Sequence, residues 1–353
     1  MDLSGYNNNL EQWFIERAQS EFPDGVDYVA NYRSVVSKLK DIHLQVNAGA
    51  DFTDETTLTR HDASHIARVI YQISKLLSYE KATISCYEAF HLLIAVQIHD
   101  IKNSEGREDH ENNAIEIFND LNINGLIDNR LLKNIGYIAS CHAGSYMRED
   151  KKEKDKIGYL LPIFMYKDKF QIRPQFLAAL LRLADEYADE TGRAMAYLLK
   201  IDKVKKSSII HQKHALSLRD VAIKPDAGIV EFDYYLTKED AIVKFPKYLK
   251  NVDSWEDKYL LDEIFERTVK SHYETIYCMR FLRPYITISK LNVSIEVEKG
   301  NILDKSPIPP YELVEKGYPN ENYDIIDLCG DSLRKNGGYW SGENLKNYLT
   351  GEK

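Results

Sequence analysis

The sequence predicts a mostly α protein: a helical bundle core with a small β hairpin or sheet element in its C-terminal half. Three observations lead there. Apolar residues recur with a helical period through most of residues 9–198. The pattern changes to strict alternation over 219–236 and again over 285–297. Apolar residues make up 44% of 353, enough to bury a sizeable core and to exclude wholesale disorder.

Taken in order, residues 9–47 read as two helices. Leu10, Trp13, Phe14 and Ala18 mark the first, and Val26, Val29, Tyr32, Val36, Leu39, Ile42 and Val46 the second, with the turn Phe22-Pro23-Asp24-Gly25 between them. The polar stretch 47–59 reads as a loop. A dense helical stretch follows, in pieces near 62–78, 84–101, 107–121, 128–143 and 173–198, with turn residues at 103–106 and 122–128. Residues 148–158 are expected as a charged, solvated loop. Alternation around Lys224-Pro225-Asp226-Ala227-Gly228 gives a hairpin over 219–236. A helical period returns over 254–284, a strand is expected over 285–297, and 300–353 shows no clear period. The implied organisation is an N-terminal helical extension (1–50), a helical core (51–215), a β-containing segment with a long helix packed on the core (216–299) and an irregular tail (300–353).

Composition narrows the function classes. Lys and Arg number 46 against 55 Asp and Glu, a net charge of −9, which argues against a non-specific nucleic-acid coat while leaving room for a local basic pocket. The lysines of 148–156 and 200–206 read as exposed loops. Cys86, Cys141, Cys278 and Cys329 form no CxxC pair and read as reduced thiols. The N-terminus has no secretory pattern, and the best apolar run, Ala89–Ile98, falls short of the roughly 20 residues of a membrane span. A cytoplasmic protein without a membrane role is expected. No GxGxxG, GxxxxGK[ST] or GxSxG occurs, which removes the common nucleotide-loop and serine-hydrolase readings.

The histidines carry the chemistry. There are ten, seven of them between residues 43 and 142. His99-Asp100 closes the apolar helix Ala89–Ile98, and a carboxylate there needs a strong partner, such as a cation, or else water. His65 and Asp185 each sit on another apolar helix, in His65-Ile-Ala-Arg68-Val69 and Leu180-Leu-Arg182-Leu-Ala-Asp185. A mixed nitrogen and oxygen set of this kind suits Mg²⁺ or a first-row divalent ion. His110 and His142, with Asp100 as a bridge, extend the set toward a second ion about 3.5–4 Å from the first. His61, one turn before His65, is its rival; His65 is preferred for its Arg-Val context.

The order H…HD…H…H…D, here His65, His99-Asp100, His110, His142 and Asp185, resembles the HD-domain metal-dependent phosphohydrolases over about residues 50–200. The six-ligand arrangement is similar to that of two-metal members, including cyclic-nucleotide and cyclic-dinucleotide phosphodiesterases. Gly106-Arg107-x-x-His110 is similar to a stretch of a prokaryotic subgroup, the HD-CE type. Ile101-Lys102-Asn103 after the dyad departs from HD-GYP phosphodiesterases, and the absence of a Glu from Ile101 to Ser104 departs from HD nucleotidases. The resemblance implies one or two divalent ions (Mn, Fe, Ni, Co, Mg or Zn) and hydrolysis of a phosphoester in a nucleotide or cyclic oligonucleotide. A single-strand nuclease and a nucleotide-binding sensor with little or no catalysis are the alternatives. Asp100 would bridge ions and take up a proton. Lys102 would neutralise phosphate or donate a proton. Arg182 would either grip phosphate or pair with Asp185 or Glu186. A protein partner or a second copy would use the C-terminal segment.

Overall fold

The computed structural model describes residues 3–6, 9–16, 22–53, 59–79, 81–105, 116, 118, 125, 127–148, 151–249, 252–298, 306–316, 324–335 and 337–351. They are mostly helical, with small sheets, and they form two compact units.

The first unit comprises Met1–Asp54, His61–Ala188 and Cys278–Thr287. Its helices are α1 (Leu10–Glu16), α2 (Tyr28–Thr53), α3 (Ala63–Leu77), α4 (Cys86–Ile98), α5 (Asn129–Ser140), α6 (Lys156–Leu160) and α7 (Pro174–Glu186). Every residue of α4 is buried, so this predominantly apolar helix is covered on all sides. Leu10, Trp13 and Phe14 of α1 are buried, and the Phe14, Tyr28 and Phe90 rings meet edge-on or tilted at 4.8–6.3 Å. α1 and the start of α2 therefore pack into the same core as α4. Two short hairpins, β1–β2 (Tyr146–Arg148, Lys151–Glu153) and β3–β4 (Met165–Lys167, Phe170–Ile172), lie between α5 and α7 in the chain.

The second unit comprises Glu55–Arg60, Asp189–Tyr277 and Ile288–Lys353. Its sheet has the order β10-β9-β6-β5, built from β5 (Leu218–Lys224), β6 (Ile229–Leu236), β9 (Lys290–Val297) and β10 (Tyr311–Val314). β5 and β6 form the expected hairpin, turned by Gly228 at φ 68°. β6 and β9 run parallel in register Ile229↔Lys290 to Leu236↔Val297, which requires a long crossover. Alternate residues of both strands are buried, as a one-sided sheet demands. The crossover holds the hairpin β7–β8 (Lys244–Leu249, Ser254–Tyr259) and helix α11 (Leu260–Leu282). The shorter helices are α8 (Ala196–Lys200), α9 (Ile209–Ser217), α10 (Lys238–Ile242), α12 (Ile325–Cys329) and α13 (Gly342–Thr350).

Several expected boundaries are corrected. α2 runs on to Thr53, into the expected loop. The stretch 148–158 contains β2 and the start of α6, and Lys156 is buried rather than solvated. The helix expected over 173–198 stops at Glu186, followed by the short turn Thr191–Arg193 and α8. Residues 254–259 form a strand, because Trp255 faces Tyr248 across the hairpin before the helical period begins at Leu260. The strand expected from 285 starts at Lys290. The tail contains β10 and two helices. Of the helix expected over 107–121, only Glu116 and Phe118 lie among the described residues.

Candidate metal centre

Four helices of the first unit bring the site together. Asp62 caps α3 by accepting from the Ser64 amide at 2.9 Å, which sets His65 in the first turn on the face of Val69 and Ile73. α4 starts at a capping box in which Ser85 and Glu88 each accept the other's amide at 3.1 Å, and it ends at His99 as C-cap. Asp128 caps α5, which ends two residues before His142. Pro174 opens α7, where its missing N–H costs nothing, and Asp185 lies in the last turn. Three of these ligand positions thus lie at helix C-termini, each equivalent to roughly half a negative charge. Before side chains are counted, the helix ends already favour a cation.

The side chains converge on Asp100. His65 Nε2 stands 3.4 Å from Asp100 Oδ2 and 3.1 Å from Asp185 Oδ1. His99 Nε2 stands 3.3 and 3.7 Å from the same two atoms. One donor atom from each of His65, His99, Asp100 and Asp185 lies within 4.8 Å of all the others. His142 Nε2 approaches the other oxygen, Asp100 Oδ1, at 3.5 Å, and His61 Nε2 lies 3.7 Å from Oδ2. Asn103, fully buried, donates to Asp100 Oδ1 at 2.9 Å and fixes the carboxylate plane.

Backbone carbonyls set the tautomers. His99 Nδ1 lies 2.8 Å from the Val96 carbonyl and His142 Nδ1 2.7 Å from that of Ala139. A carbonyl only accepts, so both Nδ1 atoms carry hydrogen and each neutral ring presents a lone pair on Nε2. His99 Nε2 and both ring nitrogens of His65 are buried without a well-aligned hydrogen-bond partner. Leaving such atoms unsatisfied costs about 1–3 kcal/mol each. Lone-pair nitrogens set against two carboxylates fit a divalent ion of the Mg²⁺ or first-row type. The titration behaviour agrees. Burial disfavours a charged His99, yet Asp100 and Asp185 outweigh it and raise its pKa well above the ordinary value. Burial opposes ionisation of Asp185, yet His65 and His99 hold its pKa well below the usual carboxylate range. Burial lowers the pKa of His142, which Asp100 partly offsets. Without an ion, a proton on His99 supplies the positive charge that the carboxylates require.

The structure thus brings together five of the six expected ligands: His65, His99, Asp100, His142 and Asp185. The sixth, His110, lies outside the described residues, as does Arg107. His61, weighed only as a rival of His65, joins the cluster beside it, with ring centroids 5.4 Å apart. Arg182 is buried and donates to the Cys141 carbonyl at 3.4 Å, which holds the guanidinium beside the His142 turn. Lys102 is buried and pairs with Glu116 at 3.3 Å. Burial pushes the Cys141 thiol up to about 12, as expected of an inert cysteine. His91 and His43 donate to the carbonyls of Tyr87 and Gln97 at 2.7 and 2.8 Å and serve as core histidines. Asn103 is the residue the sequence reading missed, and His61 entered it only as the alternative to His65. A polar side chain three residues past the dyad and a histidine one turn before His65 were the available signals.

No curated protein and no solved structure matches this chain. A family model described as HD-CE matches residues 51–267 and contains every ligand named above. Since that match takes in more than half of the sequence and the buried His/Asp cluster lies inside it, the chain belongs to the HD-CE family.

Proposed function

We propose that this protein is a metal-dependent phosphohydrolase that cleaves a phosphoester bond in a nucleotide or cyclic oligonucleotide. The observation that carries the reading is the convergence of buried, lone-pair imidazole nitrogens on two carboxylates at three helix C-termini. A divalent ion bound there would acidify water and offset charge on a phosphoryl oxygen. His65, His99, Asp100 and Asp185 would hold it. His142 and Asn103 address the second oxygen of Asp100, so this carboxylate is placed to serve two positions at once. Arg182, tethered at Cys141, would set its guanidinium charge against a phosphate beside His142. Lys102 shares its charge with Glu116 and would reach substrate only by leaving that pair. Asp100 accepts the proton released by the attacking water.

Elemental analysis of tag-free protein and its Asp100→Ala variant, paired with a screen of cyclic and linear nucleotides in Mn²⁺, tests the reading. One or two ions per chain, lost together with turnover in a variant that keeps its helical circular dichroism, are expected. No bound ion after reconstitution with Mn²⁺, Fe²⁺ or Ni²⁺ overturns it. Bound ion with nucleotide binding but no turnover would favour a sensor.

A further inference from the structure

We propose that the segment between the His142 turn and α7 is an arm that binds single-stranded nucleic acid, and that it presents an oligonucleotide strand to the metal centre. Binding by the arm stands on its own; the second clause rests on the hydrolase reading above.

The arm displays apolar surface that a soluble fold does not need. Tyr159 is 54% exposed, Ile163 62%, Phe164 47% and Tyr166 68%, four large side chains within eight residues. Pro162, Ile163 and Phe164 are exposed in succession. Clustered exposure of this kind marks a binding surface. Its composition points to bases, since three of the four side chains are aromatic. Tyr146 already stacks on Tyr159, with centroids 4.4 Å apart and planes 15° from parallel. That pair is a preformed π platform which a base can extend, the means by which strands are held without sequence preference.

Charge and position agree. Between residues 148 and 169, seven Lys or Arg stand against five Asp or Glu, a local excess of two positive charges in a chain of net charge −9. Lys167 is engaged with Asp24 at 2.6 Å, while Lys154 and Lys169 are exposed on either side of the aromatic run. The arm is tied to the metal centre at one end: buried Lys156 donates to the Ala143 carbonyl at 3.5 Å, one residue past His142. At the other end Gln175 donates to the Leu161 carbonyl at 2.8 Å. Gln175 and Asp185 are ten residues apart on α7, about 15 Å along its axis. At about 3.4 Å per stacked nucleotide, that span along α7 corresponds to about four nucleotides.

The test is fluorescence anisotropy of labelled dT20 and rU20 with the full chain at two salt concentrations, a gel confirming that the strands stay intact. Both strands, or one of them, should bind, more weakly at higher salt. Tyr159→Ala, Phe164→Ala and Tyr166→Ala should each weaken binding about tenfold, while Tyr159→Phe should restore it. Asp100→Ala should lose turnover yet retain strand binding that Tyr159→Ala and Phe164→Ala still weaken, which separates this proposal from the hydrolase reading. Absence of binding to either strand overturns the arm, as does a triple alanine variant that binds equally well. A triple variant that changes oligomeric state in light scattering, or loses sedimentation with anionic vesicles, with strand binding unchanged, also overturns it.

Discussion

His91 shows how burial alone sets a residue's chemistry. Its Nδ1 donates to the Tyr87 carbonyl, its Nε2 is buried without a partner, and burial lowers its pKa to about 4 despite the bond. The unfolded chain takes up a proton near the ordinary value of about 6.5, whereas the folded chain refuses it until about 4. Stability conferred by the neutral ring is therefore complete above pH 6.5 and decays as pH falls toward 4, by on the order of 3 kcal/mol. Urea titrations from pH 7.5 to 4.5 should show this decline, and His91→Phe, which keeps the ring contact with Tyr87, should flatten it. An identical pH slope in the variant would refute the assignment. Asp100 poses the opposite case, because its worth lies in its neighbours. The Asp100→Ala variant should lose bound ion and lower the proton affinity of His99, since Asp100 does most to raise it.

At the scale of elements, the N-terminus of α4 governs how firmly the dyad at its other end is held. Glu88 closes the capping box and also receives Arg173, whose Nε and Nη2 lie at 2.8 and 2.9 Å. That guanidinium lies 4.4 Å from the Phe176 ring centroid and 4.7 Å from that of Tyr285. Glu88→Ala should cost about 3–5 kcal/mol because it strands a largely buried cation, whereas Ser85→Ala should cost about 1 kcal/mol, that of a cap alone. Thermal melts of the two variants would show the gap, and equal losses would mean that the ion pair contributes nothing beyond the cap. The helices that carry the site were legible because their apolar periods are long and because a polar residue inside an apolar run, such as Asp185 or His99, stands out. β7, β8 and β10 were not, since short strands stabilised by cross-strand partners such as Tyr248 and Trp255 leave little pattern in sequence. Asn103 escaped notice, and His61 stood only as the alternative to His65, for a related reason: only the meeting of α3 with the end of α4 gives either a role.

Across the whole molecule, the metal centre and the mixed sheet fall in different compact units, so an ion should act on them unequally. The ion would bind the folded cluster and not the unfolded chain, stabilising the former by about 2.7 kcal/mol at a hundredfold excess over Kd. It would also replace the proton on His99, so its affinity should rise as pH increases. The energy enters at the C-terminal ends of α4, α5 and α7 and the first turn of α3, and these are the segments whose local opening it should suppress. Hydrogen-exchange mass spectrometry with and without Mn²⁺ would read this directly. Slowed exchange is expected around residues 63–70, 94–103, 136–143 and 180–187, with little change in β5, β6 and β9, and none anywhere in Asp100→Ala. Protection greatest in the sheet, or retained by that variant, would place the ion elsewhere and remove the basis for assigning hydrolysis to this cluster.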